Sequence, residues 1–187
     1  MVPFVLASAS PRRKDLLLGA GLSFEAIPQD VDEAALPGEA PIAYVLRVAR
    51  AKAHSYEGGR DAVLSADTTV AIDGEILAKA KDDEEAQAFL RKLSGRTHQV
   101  HTAVVLRCAA GPIETVVTTE VRFRALSPAE IGRYVATGEP RDKAGAYGIQ
   151  GFGGALVEAV FGSYTNVVGL PLAETLSMLR DGGVIEP

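Results

Sequence analysis

Short apolar runs alternate with amphipathic segments along the whole chain, a pattern that mixes strands with helices. Strands are predicted over residues 4–7, 24–27, 62–72, 99–108 and 113–123. The strand over 62–72 runs into Asp73-Gly74, a dipeptide typical of two-residue hairpins, and the chain returns at 76–77. The last two strands are predicted to join across Gly111-Pro112.

Helix signals fill the spaces between these strands. Helices are predicted over residues 11–19, 41–54, 82–93, 127–134 and 171–179. Ser10 and Asp82 are good N-caps, and Glu85 stands at the capping-box position. The segment 138–154 is rich in glycine and polar residues, so we expect a functional loop there rather than part of the core. Together these elements predict an α/β fold around a mixed sheet.

Length and charge narrow the class of protein. A chain of 187 residues favours a single domain over 1–187. The net charge of −5 argues against nucleic-acid binding, so a local cationic cluster would suit a small polyanion in a pocket. Cys108 is the only cysteine, which excludes an intramolecular disulfide and a cysteine-based zinc site. No signal peptide or membrane span is visible, and we expect a cytoplasmic protein.

The segment 8–13 joins the first strand to the first helix and places several phosphate-binding groups together. It carries the hydroxyls of Ser8 and Ser10, the free amides of a helix start, and the guanidinium groups of Arg12 and Arg13. Helix N-termini beside arginines bind phosphate well. The alternative is a capped surface helix with two solvated arginines.

Asp67 stands inside an apolar strand, where a carboxylate is costly unless it is paired, hydrogen-bonded or bound to a metal. It is either a metal ligand or general base, or a strand aspartate satisfied by local amides. The acidic segment 30–33, which includes Glu33, would by itself be a solvated loop. Lys52 and Lys79 are uninformative singly, but the whole set is suited to a metal-bound polyphosphate.

Other catalytic arrangements find little support. The sequence has no Walker A motif, no GxGxxG after a strand and no GxSxG elbow. His98 and His101 lie three residues apart on a predicted strand, so they face opposite sides, and we interpret both as structural.

Six segments resemble, in order and spacing, the Maf family of nucleoside triphosphate pyrophosphatases. They are residues 6–13, 47–53, 66–70, 93–100, 142–151 and 162–172. The stretch 146–151 is similar to the family branch that acts on dTTP and UTP. One departure is Ala78-Lys79-Ala80, where the family usually has Gly-Lys-Pro; the lysine is kept, and Lys81 becomes an alternative phosphate ligand.

The resemblance implies an elongated mixed sheet flanked by helices, with two lobes around a nucleotide cleft, as in inosine triphosphate pyrophosphatase-like proteins. It implies cleavage between the α and β phosphates with Mg²⁺ or Mn²⁺, for housekeeping of the nucleotide pool, and a homodimer. The implied catalytic residues are Asp67 as proton acceptor, Glu33 as its partner on the metal, and Lys79. The implied phosphate ligands are Ser8, Arg12, Arg13, Lys52 and Lys79. The implied determinants of substrate choice are Arg12, Thr68 and Gln150.

Two other functions stay open on the sequence. One is a pyrophosphatase for 7-methyl-GTP or another modified purine. The other is a non-catalytic nucleotide sensor that regulates cell division, because the family has been linked to arrest of septum formation.

Overall fold

One mixed sheet organises the protein in a computed structural model that describes residues 4–59 and 61–186. The strands are β1 Phe4–Leu6, β2 Phe24–Ala26, β3 Val63–Ile72, β4 Glu75–Leu77, β5 Thr97–Cys108, β6 Gly111–Phe123 and β7 Val157–Phe161. The helices are α1 Pro11–Gly19, α2 Pro41–Ser55, α3 Asp83–Leu93, α4 Pro128–Ala136, α5 Tyr164–Val168 and α6 Leu172–Asp181, with a 3₁₀ turn over Phe152–Leu156. The predicted α/β class with a mixed sheet is confirmed.

The strand order is β2–β1–β3–β5–β6–β7, and β4 pairs with β3 outside this path. Strand β1 is parallel to β2 and β3, and every other pairing is antiparallel. The predicted hairpin at Asp73-Gly74 is confirmed, because both residues adopt positive φ between β3 and β4.

A gap in the pairing of β3 positions the functional region. Strand β5 covers one edge of β3 from Val63 to Ala71. On the opposite edge β1 pairs with residues 63–64 and β4 with residues 70–72. Within the described residues, the stretch 65–69 therefore has no strand partner on that edge. Side chains from both faces of the sheet can meet there.

Two apolar clusters lie on either side of this gap, on one face of the sheet. One packs β1 against α1 and α6, and β3 contributes Leu64 and Ala66 to it. The other packs α3 and α4 against Val70 and Ile72 at the far end of β3. Thr68 lies on the same face between the two clusters because side chains alternate along a strand.

Helix α2 covers the opposite face. It buries Val45, Val48 and Ala49 against β5 residues Ala103 and Val105. The hydroxyl of Ser65 donates to the Ala49 carbonyl over 2.7 Å, which fixes the helix against β3. Within the described residues, no helix is long and apolar enough to cross a membrane.

The prediction for residues 138–154 is partly wrong. Ala146 and Tyr147 are buried in the cluster formed with α3 and α4, and a 3₁₀ turn closes the segment. Tyr147 stacks edge-on against Phe123, and its hydroxyl lies 2.8 Å from Nε2 of His98. Because apolar residues are few in this stretch, its periodicity gave no sign that it enters the core.

Strand β7 and helix α5 were missed, and the hairpin between β5 and β6 turns earlier than predicted. The missed elements lie in residues 153–172, where glycines interrupt the pattern. The hairpin turn is at residues 109–110, and Pro112 lies within β6, in register with Arg107. A proline near the first residue of a strand is tolerated. His98 and His101 are both buried and hydrogen-bonded, as expected of structural residues.

We predict that Tyr147→Phe lowers the free energy of unfolding by about 1–3 kcal/mol, the cost of leaving a buried polar group without its partner. The burial that lowers the pKa of His98 to about 4 also keeps its ring neutral, and Nδ1 has no partner among the described residues. The phenylalanine variant would leave both nitrogens unpaired. Urea unfolding checks this, with Tyr164→Phe, at an exposed position, as the control that should change nothing.

Candidate active site

Arg13 joins three distant parts of the chain at the gap in β3. Its Nε donates to the carbonyl of Gly169 over 2.8 Å. Nη1 donates to the Ala66 carbonyl over 2.8 Å and to Ser8 Oγ over 3.2 Å, and Nη2 donates to Thr68 Oγ1 over 3.0 Å. At least four of its five N–H groups are therefore used within the protein. The guanidinium also caps a carbonyl that no neighbouring strand pairs.

Ser8 lies between Arg13 and the start of α1. Its hydroxyl oxygen accepts from Arg13 Nη1 and from the backbone amide of Ser10, both over 3.2 Å. With both lone pairs used, the hydroxyl hydrogen remains to be donated to a ligand. Ser10 caps α1 as predicted, accepting from the amide of Arg13.

Asp67, Lys52 and Glu33 form a chain of charges on the other face of the sheet. The Lys52 ammonium lies 2.8 Å from Asp67 Oδ1 and 2.6 Å from Glu33 Oε1. Lys52 and Asp67 are both buried, whereas Glu33 is half-exposed. The second oxygen of Asp67, Oδ2, is buried without a partner among the described residues. One side of this carboxylate is thus free to accept a proton or a ligand.

The two carboxylates differ in acidity. Burial raises the pKa of Asp67, against the opposing charges of Lys52 and Arg13. Burial would raise the pKa of Glu33 as well, but its bond to Lys52 and the charge of Lys79 bring that pKa below the ordinary value. Asp67 is consequently the stronger base of the pair.

Side chains of α2 hold in place the preceding segment, which carries Glu33. Tyr44 donates its hydroxyl to the Glu33 carbonyl over 2.9 Å. Arg47 donates to the carbonyl of Ala34 over 2.9 Å and pairs with Glu39 over 2.7 Å. The segment 30–33 is therefore more than a solvated loop, because α2 anchors its backbone.

Lys79 follows β4 and reaches the same charges from the exposed side, with its ammonium 3.6 Å from Glu33 Oε2. Its backbone forms an antiparallel bridge with Ala144, and the amide of Gly145 donates to the Leu77 carbonyl over 2.9 Å. These bonds hold the segment Ala78-Lys79-Ala80 in place. Lys81 instead donates its backbone amide to Glu85 at the start of α3.

The side chains of Arg12 and Gln150 have no hydrogen-bond partner among the described residues. Arg12 is half-buried and forms no hydrogen bond or ion pair within residues 4–59 and 61–186, and its charge acts on Lys143. Gln150 is exposed in the turn after Tyr147, and its side chain likewise has no partner in the described chain. Their predicted roles stay predictions.

Sequence reasoning missed several residues of this region. Gly169, Thr102 and Tyr44 hold Arg13, Thr68 and Glu33 respectively, through bonds that join residues far apart in sequence. No periodic or motif signal marks such pairs. Glu139 lies in the glycine-rich segment 138–154, and nothing in the sequence indicated which groups its carboxylate bonds.

A divalent cation fits the two carboxylates. The described residues contain no cluster of three or more His, Cys, Asp or Glu side chains able to form a complete metal cage. Mg²⁺, however, is usually held by one or two carboxylates together with substrate phosphates. The buried, unpartnered Oδ2 of Asp67 and the half-exposed Glu33 supply that donor set.

A family model and the named relatives of this chain point to the same family. The sequence model of a family described as Maf-like protein matches residues 3–182. A protein of Anaeromyxobacter dehalogenans named dTTP/UTP pyrophosphatase is 56% identical over 183 residues, which cover 96% of this chain and 93% of the relative. A protein of the same name from Escherichia coli O157:H7 is 50% identical over 184 residues, covering 97% and 93%.

Among solved structures, a HAM1 protein from Coxiella burnetii is similar in fold. The two structures superpose with a TM-score of 0.53 at 18% identity, covering 97% of this chain and 100% of the other. At this identity the likeness concerns the fold alone.

We predict that Arg13→Lys lowers the free energy of unfolding by about 2–4 kcal/mol, since an ammonium cannot replace a forked donor to several buried acceptors. Arg12→Lys changes a neighbouring residue that has no hydrogen-bond or ion-pair partner in the described part of the chain, and should stay within about 0.5 kcal/mol of the wild type. Thermal and urea unfolding of the two variants check this. Equal losses would show that the bonds of Arg13 do not stabilise the fold.

Proposed function

The chain belongs to the Maf family, and on that premise we propose that it is a nucleoside triphosphate pyrophosphatase that hydrolyses dTTP and UTP to the monophosphate and pyrophosphate. The relatives described above carry this activity in their names. The observation that carries the proposal is Asp67, a buried carboxylate with one free oxygen at the edge of a cationic cluster.

We assign the polyphosphate to the gap in β3. Ser8 has a hydroxyl hydrogen to donate, and Arg12, in the first turn of α1, carries a guanidinium that has no partner among the described residues. Lys52 and Lys79 approach from the other side. Arg13 contributes its charge and at most one further N–H, because its other donors are used in the protein.

Hydrolysis forms a bond from a water oxygen to the α-phosphorus and breaks the bond from that phosphorus to the bridging oxygen. Pyrophosphate leaves, and the water proton passes to the Asp67 carboxylate, which burial makes a better base by raising its pKa. Negative charge grows on the phosphate oxygens during the reaction. Cations placed there stabilise the transition state more than the ground state.

Glu33 and Asp67 would hold a divalent cation, Mg²⁺ or Mn²⁺, together with the phosphates. When bound, such an ion would neutralise the phosphate oxygens and lower the pKa of a coordinated water. The ammonium of Lys52 bridges the same two carboxylates. Its single positive charge offsets part of their combined negative charge.

Substrate choice would rest on Gln150, Thr68 and Arg12. Uracil and thymine offer an acceptor beside a donor, and a glutamine amide presents the complementary pair. Because neither contact senses the 5-methyl group, UTP and dTTP should both be accepted. We further propose that the chain works as a single domain in the cytoplasm, as a homodimer, in housekeeping of the nucleotide pool.

Release of pyrophosphate from a panel of nucleotides tests the proposal. We expect dTTP and UTP to be hydrolysed at least about tenfold more efficiently than 7-methyl-GTP and ITP, a ratio that complementary hydrogen bonds readily supply. CTP should be discriminated more weakly. Preference for 7-methyl-GTP would place the protein with purine enzymes, and nucleotide binding without turnover would indicate a sensor.

The variant Asp67→Asn tests whether Asp67 is the general base. It should lower kcat by about 10²–10⁴-fold, the usual effect of removing a general base. The melting temperature should stay equal or rise, because a carboxyl whose pKa is raised by folding costs stability once it ionises, above its unfolded pKa. Because burial raises the pKa of Asp67, the acid limb of the wild-type rate should lie above the ordinary pKa of an aspartate side chain. A variant keeping a tenth of the activity would contradict the assignment.

Lys79→Ala should lower kcat/KM for dTTP by about 10-fold or more, since a charge-assisted bond to phosphate contributes about 1.5–3 kcal/mol. Lys81→Ala should leave it within a factor of two, because the backbone amide of Lys81 is tied to α3. Steady-state kinetics of the two variants decide between the lysines. A silent Lys79→Ala with a damaged Lys81→Ala would reverse the assignment.

A further inference from the structure

We propose that Glu139 is a positioning residue for substrate selection, because its carboxylate holds the turn that carries Gln150. This inference rests on the proposed function and extends it to a residue that does not itself touch the nucleotide. It concerns the turn formed by residues 148–153.

The Glu139 carboxylate accepts three hydrogen bonds, two from backbone amides of the turn and one from the hydroxyl of Tyr134. Oε2 accepts from the amide of Phe152 over 2.8 Å, and Oε1 accepts from the amide of Gly153 over 2.9 Å. Oε1 also accepts from the hydroxyl of Tyr134 over 3.0 Å. The same hydroxyl accepts from the amide of Gly148 over 3.1 Å. Glu139 and Tyr134 thus hold the backbone on both sides of Gln150.

At two glycines of the turn a Cβ would collide with the groups that hold the turn, Glu139 at Gly151 and Tyr134 at Gly153. A Cβ at Gly151 would lie 2.2 Å from Glu139 Oε2, and one at Gly153 would lie 2.7 Å from the Tyr134 hydroxyl. Both distances are far below contact. The backbone of the turn therefore lies so close to Glu139 and Tyr134 that a side chain at Gly151 or Gly153 would force them to move.

Lys143 closes the turn from another side. Its ammonium donates to the Glu139 carbonyl over 2.6 Å, and its side chain packs where a Cβ at Gly148 would stand. The pKa of Lys143 is lowered by burial and then by the charge of Arg12. The backbone bridge between Lys79 and Ala144 joins the adjoining segment to the proposed phosphate site, so the turn lies at the border of that site.

Gln150 depends on this support because its own side chain makes no hydrogen bond to the described residues. Its amide can be oriented only through the backbone on either side. A small misplacement of a binding group costs much of its effect, so loosening the turn should blur recognition of the base.

The test compares Glu139→Gln with Glu130→Gln, a change in the first turn of α4, the helix that precedes Glu139. Glu130 completes the capping box of α4 with Ser127, and its carboxylate bonds to Ser127 and Arg124 rather than to the backbone of the turn. A glutamine at 139 would put an amide donor against a backbone donor. We expect KM for UTP and dTTP to rise about tenfold and the preference for UTP over CTP to fall about fivefold, since both report base contacts.

Inorganic tripolyphosphate serves as the probe of the phosphate site. Its inhibition constant should stay within about twofold in Glu139→Gln, because loss of a base contact leaves the phosphate contacts intact. Glu130→Gln should lower the melting temperature yet keep wild-type selectivity. Tyr134→Phe, which removes two bonds of the network, should change selectivity in the same direction if the glutamine variant does not fold.

Unchanged selectivity in both Glu139→Gln and Tyr134→Phe would overturn the inference. So would a parallel loss of tripolyphosphate inhibition, which would indicate general damage to the site. A wild-type protein inert toward all nucleotides overturns the proposed function itself, and the wild-type measurement alone reveals that outcome.

Discussion

A carboxylate buried in the middle of a sheet is costly unless positive charge is brought to it, and the surroundings of Asp67 are arranged around that requirement. Lys52 reaches it from α2, which Ser65 fixes against the same strand. Lys52 has only one charge for two carboxylates, so Glu33 and Asp67 share it, and burial leaves Asp67 the more basic. The demands of burial and of catalysis coincide here, because a poorly compensated carboxylate is also a good proton acceptor.

The gap along β3 explains how two faces of one sheet serve one site. Asp67 and Thr68 are adjacent, so they point to opposite faces, and a continuous sheet would keep their partners apart. Since β1 ends before the middle of β3 and β4 begins after it, groups that follow each strand converge on the open edge. Ser8 arrives from β1 and Lys79 from β4, and Arg13 donates to the buried Ala66 carbonyl that faces the gap.

Local signals in the sequence were sufficient for most elements but for only part of the site. The hairpin at Asp73-Gly74 and the cap at Ser10 follow from turn and cap chemistry, which depends on a few neighbouring residues. Asp67 was conspicuous because a charge interrupts an apolar strand. Strand β7, the burial of Tyr147 and the bonds of Glu139 depend on segments far away in the chain, and no local pattern encodes them. The resemblance named Arg13 as a phosphate ligand, whereas the geometry shows that most of its donors serve the fold.

The bond from Arg13 to the Gly169 carbonyl has a consequence for the order in which the protein is made. The chain emerges from its N-terminus, so the guanidinium is synthesised 156 residues before its acceptor. Asn166, which donates to the Val100 carbonyl and to Thr119, belongs to the same late segment. The contacts of this segment with Arg13 and Thr102 therefore form only after residues 166–169 have been added. A fragment that ends before Gly169 lacks the acceptor of Arg13 Nε, so the edge of the candidate site beside Thr68 is incomplete in it.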